Sequence, residues 1–307
     1  MQYILFFFLL LTANATAETL IQPLEAVKGL DRDKVELGRV LFFDPELSRD
    51  GSVSCASCHQ PANGWADKRE VSIGVYGRKG RVNSPTVLNA VYNFKQFWNG
   101  RADSLKEQAK GPIHQNFEMD MNKELIEERV NKNEFYKKSF YSVYKTSTIT
   151  FEQLIDAIVE YEKSLTTPGA KFDRYLKGEL SLSQAEAEGY DLFRVYGCIT
   201  CHNGVNVGGN SFQKMGIVMP YEDCYGDRYE LTHRAFDRCV YKVPSLRNID
   251  KTAPYFHDAS AKTLQEAIKA MAYHNLGYEI DDKDVKKIEM FLKSLSADVA
   301  EKGEIND

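Results

Sequence analysis

Apolar positions along this chain recur mostly at helical spacing, and strand-like alternation is confined to a few short runs. Lys34–Phe43 carries Val35, Leu41 and Phe42 and stops before Asp44-Pro45, where a proline bars continuation. Thr150-Phe151-Glu152-Gln153 has the form of a capping box, a Thr whose hydroxyl takes the orphan amide three residues on. It opens an amphipathic stretch with Leu154, Ile155, Ile158, Val159 and Tyr161 on one side. Ser183-Gln184-Ala185-Glu186 repeats the device and predicts a helix running to Tyr196. Val285, Ile288, Phe291, Leu292 and Leu295 share one face of a last helix. The pattern therefore predicts a mainly α protein. It also contains a weak echo: Gly38-x-x-Leu41-Phe42 and Gly189-x-x-Leu192-Phe193.

The longest apolar run, Ile4–Leu11, precedes Ala15-Thr16-Ala17 and then Glu18. This is the layout of a secretory signal peptide over residues 1–17, with a small-x-small cleavage site. The run is shorter than the ~20 residues a bilayer span needs, and no other run is longer. The expectation is an exported, periplasmic chain without a membrane span after cleavage. At 307 residues and 43% hydrophobic, the composition suits about two domains with full cores. A net charge of −5 argues against nucleic acid or an anionic membrane surface as partner.

The chemistry sits in two further echoes, Cys55-Ala56-Ser57-Cys58-His59 and Cys198-Ile199-Thr200-Cys201-His202. Each reads C-x-x-C-H, the attachment pattern of a c-type haem. Two thiols add to the vinyl groups on one porphyrin edge, and the adjacent histidine points at the iron. A zinc site would draw four ligands from paired motifs, but these motifs lie far apart and a histidine abuts the second cysteine both times. A thioredoxin-type dithiol needs no such histidine and follows a strand. Two covalent haem c groups are the expectation. Cys224 and Cys239 remain, with 14 residues between them in a loop rich in Tyr, Gly and Asp. Free thiols and a disulfide are the alternatives; an oxidising compartment favours the disulfide, which contributes roughly 3 kcal/mol in the chain-entropy account. The helix leading into each C-x-x-C-H predicts two tandem cytochrome-c-like domains, residues 18–167 and 168–307.

Dense blocks surround the motifs. Arg81-Val82-Asn83-Ser84-Pro85-Thr86-Val87-Leu88-Asn89-Ala90 runs toward Gln96-Phe97-Trp98-Asn99-Gly100-Arg101, then Gln108, Gly111-Pro112 and Phe117-Glu118-Met119. After the second motif come Val243-Pro244-Ser245-Leu246-Arg247-Asn248, Thr252-Ala253-Pro254-Tyr255-Phe256-His257-Asp258 and Ala270-Met271-Ala272. In content, order and spacing these stretches resemble the bacterial di-haem cytochrome c peroxidases, over nearly all of the mature chain. The resemblance implies an N-terminal haem that reacts with hydrogen peroxide and a C-terminal haem that accepts electrons from a small cytochrome c or cupredoxin. It implies His59 as proximal ligand of the first haem, and His202 with Met271 on the second. Trp98 would lie between the haems, Glu118 would be the distal acid–base carboxylate, and Gln108 a distal amide that orients peroxide. A calcium ion between the domains would take Asn83 by its side chain and Thr252 and Pro254 by their carbonyls. A homodimer is also implied.

One position departs from the pattern. Many members place a histidine in the loop after the first motif, where it ligates the resting peroxidatic iron until reduction releases it. Here Ser72-Ile73-Gly74-Val75-Tyr76-Gly77 puts Val75 at that place. Valine cannot bind iron, so the resemblance predicts an open sixth position and activity without prior reduction. Tyr76 and His114 are the two side chains that would have to take over the missing role. Two other functions are compatible with two haems: a di-haem oxidase of the type that matures a tryptophan-derived quinone, and a non-enzymatic electron carrier. The first uses a tyrosine where this chain has Met271, and the second has no use for Glu118 or Gln108.

Overall fold

The computed structural model describes residues 20–299, so the signal-peptide segment 1–17 lies outside the described residues. The fold is mainly helical, and each expected helix forms at its signal. Asp31 caps Arg32–Phe43 by accepting from the Asp33 and Lys34 amides, and Thr150 and Ser183 close capping boxes on Phe151–Ser164 and Gln184–Val195. The last helix is Asp282–Lys293, capped by Asp281. Among the described residues the strand content is one two-stranded antiparallel sheet, Phe212–Lys214 with Val240–Lys242.

The buried apolar residues fall into two clusters. One gathers Leu37, Leu41, Phe42, Phe140, Leu154, Ile155 and Ile158 with their neighbours up to Leu165. The other gathers Phe172, Phe193, Ile268, Val285, Ile288 and Phe291. Ile21 belongs to the second cluster, so the chain's first described residues lie against the later lobe.

The echo of glycines now has a physical reason. A Cβ on Gly38 would stand 1.9 Å from the Ala157 carbonyl oxygen, and one on Gly189 would stand 2.0 Å from that of Lys287. In each lobe the helix that leads into C-x-x-C-H crosses the lobe's last helix with backbones in contact at a glycine. Gly38→Ala and Gly189→Ala will therefore each destabilise the protein by about 1–3 kcal/mol through overpacking. Helix propensity alone predicts a gain of about 1 kcal/mol. Denaturant midpoints decide the sign.

A second internal correspondence joins the lobes. Asn89 and Asn248, both in left-handed backbone conformation, converge on the Thr167 hydroxyl from opposite lobes at 2.8 and 2.7 Å, and all three are buried. The Thr167 amide returns a hydrogen bond to Asn89 Oδ1 at 2.9 Å. Buried polar groups paired this completely fix one relative placement of their segments.

Candidate active site

Two cavities flank the lobe boundary. The first has a volume of about 390 Å³ and is walled by Cys55, Cys58 and His59 together with Gln108 and Glu118. The second, about 240 Å³, is walled by Cys198, Cys201, His202 and Met271. Trp98, Phe97 and Gln96 line both.

In the first cavity the motif forms a single helical turn, Cys55–Cys58, and the His59 amide closes it on the Cys55 carbonyl at 2.9 Å. A buried network backs the turn. Asp67 accepts from Arg69 and, at 2.8 Å, from the Ser72 hydroxyl, and Arg69 also donates to the Ser57 carbonyl at 3.1 Å. His59 Nδ1 is buried without a hydrogen-bond partner. Desolvation lowers the His59 pKa, against a smaller upward pull from the Trp65 and Pro85 carbonyls. The imidazole is thus kept neutral, with a lone pair available to a metal.

Gln108 lies on the helix Leu105–His114, capped by Ser104. The chain then turns sharply, with the Glu118 amide on the Gln115 carbonyl at 3.0 Å. The Val75 amide holds that turn by donating to the Glu118 carbonyl at 2.8 Å. A Cβ on Gly74 would meet the Phe117 carbonyl oxygen at 2.1 Å, so glycine is required for this clasp. Burial raises the Glu118 pKa, and the nearby Arg101 charge pulls it back only in part. A carboxyl moved toward neutrality in this way suits alternating proton uptake and release.

The second motif forms a tight turn at Cys198–Thr200 behind Gly197, and the His202 amide bonds the Cys198 carbonyl at 3.0 Å. His202 Nδ1 is also an unpartnered buried atom. Burial lowers the His202 pKa to about 4, with the Val207 and Pro244 carbonyls pulling weakly upward. Gly208 leaves the room: its Cβ would lie 2.2 Å from the Pro244 oxygen and 3.4 Å from His202 Nδ1. Met271 ends the helix Leu264–Met271, where the chain passes into a π-helical turn over Ala272–Leu276.

Trp98 is fixed at both ends of its residue. Its indole N–H donates to the Asn83 carbonyl at 2.9 Å, and its own carbonyl accepts from the Lys242 amide at 2.7 Å. Its ring meets Tyr241 and His257 edge-on at 6.4 and 6.3 Å. His257 holds the same register in the later lobe as Trp98 in the earlier one, since the bridges Gln96–Ala102 and Tyr255–Ala261 correspond. His257 stacks on Tyr241 at 4.4 Å, and its Nε2 bonds the Asp223 carbonyl at 2.6 Å. Asp223 is held there by the neighbouring disulfide between Cys224 and Cys239, whose Cα atoms are 4.8 Å apart.

Asn83, Thr252 and Pro254 share the wall of the second cavity. The Asn83 amide nitrogen donates to the Arg69 carbonyl at 2.8 Å, which leaves its Oδ1 for another partner.

Tyr76 and His114, the two candidates to replace a distal histidine, lie elsewhere. Tyr76 is 58% exposed, with its ring under the Arg78 guanidinium. His114 is exposed, packs on Phe151 and bonds the Met121 carbonyl at 3.0 Å. Among the described residues His59 is the only histidine lining the first cavity, and no tyrosine or lysine lines it. Met119 does line it.

Sequence reasoning missed Glu162 and Lys242. Glu162 lines the first cavity, its Oε2 is buried and unpartnered, and burial pushes its pKa up to about 8. An acid whose folded pKa exceeds its unfolded value of 4.5 holds its proton longer when folded. Its contribution to stability is therefore intact below about 4.5 and is lost as pH climbs toward about 8. Glu162→Gln will flatten the thermal-midpoint profile between those limits, as the difference from wild type at each pH.

The donor set fits two c-type haems. Cys55, Cys58, Cys198 and Cys201 remain free thiols at the cavity walls, while the other two cysteines are paired. His59 adds a neutral imidazole to the first cavity and His202 one to the second, and the walls are mainly apolar.

Comparison with known proteins agrees. Residues 32–181 match the family described as di-haem cytochrome c peroxidase. The chain is 46% identical to the cytochrome c551 peroxidase of Nitrosomonas europaea, over 91% of this chain and 84% of that one. It is 40% identical to the cytochrome c peroxidase Ccp of Escherichia coli, over 90% of this chain and 61% of that one. Among solved structures, a MauG-like protein associated with microbial copper homeostasis superposes with a TM-score of 0.80 at 26% identity, covering 96% of this chain and 97% of that one.

Proposed function

This chain belongs to the di-haem cytochrome c peroxidase family, and on that premise we propose that it reduces hydrogen peroxide to water in the first cavity, with electrons that enter at the second. The observation that carries the reading is the pair of cavities, each with its own C-x-x-C-H, meeting at Trp98.

Cys55 and Cys58 would hold one haem and Cys198 and Cys201 the other, with His59 and His202 as iron ligands and Met271 as sixth ligand of the second. The domains would be 18–167, peroxidatic, and 168–307, for electron entry. When bound, the haem iron supplies the redox centre at which the O–O bond is cleaved. The protein's part is proton handling, orientation and routing. Gln108 orients peroxide. Glu118 takes the proton from the near oxygen and delivers it to the leaving oxygen. The Gly74–Val75 clasp fixes the turn that carries Glu118. Burial keeps His59 and His202 neutral. Trp98 links the two sites, and Met271 contributes a thioether that favours a high potential.

We also propose that the first haem needs no prior reduction, because Val75 offers no ligand. A small cytochrome c or cupredoxin would be the donor. A calcium ion would sit on Asn83 Oδ1 and the Thr252 and Pro254 carbonyls, an all-oxygen set. The mature chain would be a periplasmic homodimer; no described helix is long and apolar enough to cross a membrane.

The test mixes fully oxidised, haem-loaded protein with peroxide and a reduced small c-type cytochrome. Two donors oxidised per peroxide, without a lag, is the expected result. No oxidation would contradict the reading, and oxidation only after pre-reduction would contradict the role given to Val75.

A further inference from the structure

The second cavity is lined by apolar and neutral side chains with one exception. Among its lining residues Lys242 is the only Lys, Arg, Asp or Glu. It is 7% exposed, at the end of the strand Val240–Lys242. Its backbone is fixed, by pairing with Phe212 and by the hydrogen bond its amide donates to the Trp98 carbonyl. Its ammonium forms no hydrogen bond or ion pair with any described residue, and burial is the one influence on its pKa, lowering it to about 8. At neutral pH the group is still mostly charged. A buried charge is retained in proteins when something of opposite sign meets it, and nothing on the described chain does so here. The first cavity is different: its walls carry Arg81, Arg101, Glu118, Glu162 and Glu230.

A haem brings two propionate carboxylates, and these would be the only anions in the second cavity. We propose that Lys242 is the counter-ion of a propionate of the haem held there, and that it keeps that haem's reduction potential high. The inference rests on the reading that Cys198, Cys201 and His202 hold a haem. Ferric haem carries one more positive charge than ferrous haem. An unneutralised propionate beside it therefore favours the ferric form and lowers the potential, and an ammonium on the propionate removes that bias. Lys242 is thus a positioning and tuning residue that touches neither peroxide nor the reacting atoms.

The experiment is a spectroelectrochemical titration of the haem-loaded wild type, Lys242→Met, Lys242→Gln and Lys242→Arg. Haem content is measured first. If wild type does not carry two covalent haems per chain, the functional reading fails and this inference fails with it. With two haems present, Lys242→Met and Lys242→Gln are expected to lower the midpoint of the haem whose ferric spectrum shows methionine ligation, and to leave the other haem where it was. Lys242→Arg is expected to keep the wild-type value. Unchanged midpoints in both neutral variants, or equal shifts of both haems, would overturn the proposal while leaving the peroxidase reading intact. Methionine and glutamine remove a buried charge without adding bulk, so neither should compromise folding.

Discussion

Glu118→Gln lowers kcat/KM for hydrogen peroxide by about 10²–10⁴-fold, the usual worth of a positioned acid–base group, with both haems still attached. Glutamine keeps the shape of the side chain and its place on the turn held by Val75, so what disappears is the transferable proton. Gln108, in the same cavity, has no such proton to offer. The pH profile sharpens the expectation. Peroxide must first give up a proton, so the free enzyme needs Glu118 ionised, and the rate rises with pH through its pKa. Burial has raised that pKa from 4.5, against a partial pull back by Arg101, so the rising limb is displaced upward from that of an ordinary glutamate in wild type and is missing in the variant. Rapid-mixing measurements across pH give both numbers. A variant as fast as wild type would remove Glu118 from the mechanism.

Asp173→Ala costs about 3–5 kcal/mol of stability, the penalty for leaving a buried charge uncompensated. Asp173 is fully buried and Arg247 is 1% exposed. They form a two-pronged pair at 2.9 and 2.8 Å. The guanidinium also donates to the Val205 carbonyl at 2.6 Å and the Gln22 carbonyl at 3.0 Å, and Asp173 accepts from the Leu24 amide at 3.2 Å. One ion pair thus fastens the N-terminal segment, the loop after the second motif and the start of the later lobe. Removing the carboxylate leaves the buried guanidinium on the Val205 and Gln22 carbonyls with its charge uncompensated. The double variant Asp173→Leu with Arg247→Met loses the charge problem along with the pair and is expected to recover most of the loss. Denaturant unfolding of the three proteins checks it; a single variant as stable as wild type would mean water reaches Arg247.

Much of this was legible in the sequence because it is local. The two C-x-x-C-H motifs, the capping boxes at Thr150 and Ser183 and the mainly α character follow from spacing alone. The glycine echo at Gly38 and Gly189 was visible as a pattern, but its cause, two helix crossings, exists only in three dimensions. Charge burial left no local trace. Lys242 ends a short strand and Glu162 sits within an amphipathic helix, and in sequence both look like ordinary solvated residues. Their isolation in cavities depends on segments far away in the chain. Likewise Asp173 and Arg247 lie far apart in sequence and meet only when the later lobe folds. Tyr76 was a candidate ligand by proximity to Val75, and its positive φ turns it outward instead. Trp98 and His257 occupy matching registers of the two lobes, a correspondence hidden because the residues differ.

The state of the first haem in the fully oxidised protein decides whether the peroxide site is open at rest. Electron paramagnetic resonance before and after adding peroxide reads it directly. One high-spin ferric signal beside one low-spin signal, with the high-spin signal consumed by peroxide, is the predicted result. Two low-spin signals that ignore peroxide until an electron is supplied would contradict it, and would identify a protein group, Met119 first among the lining residues, as the ligand that closes the site.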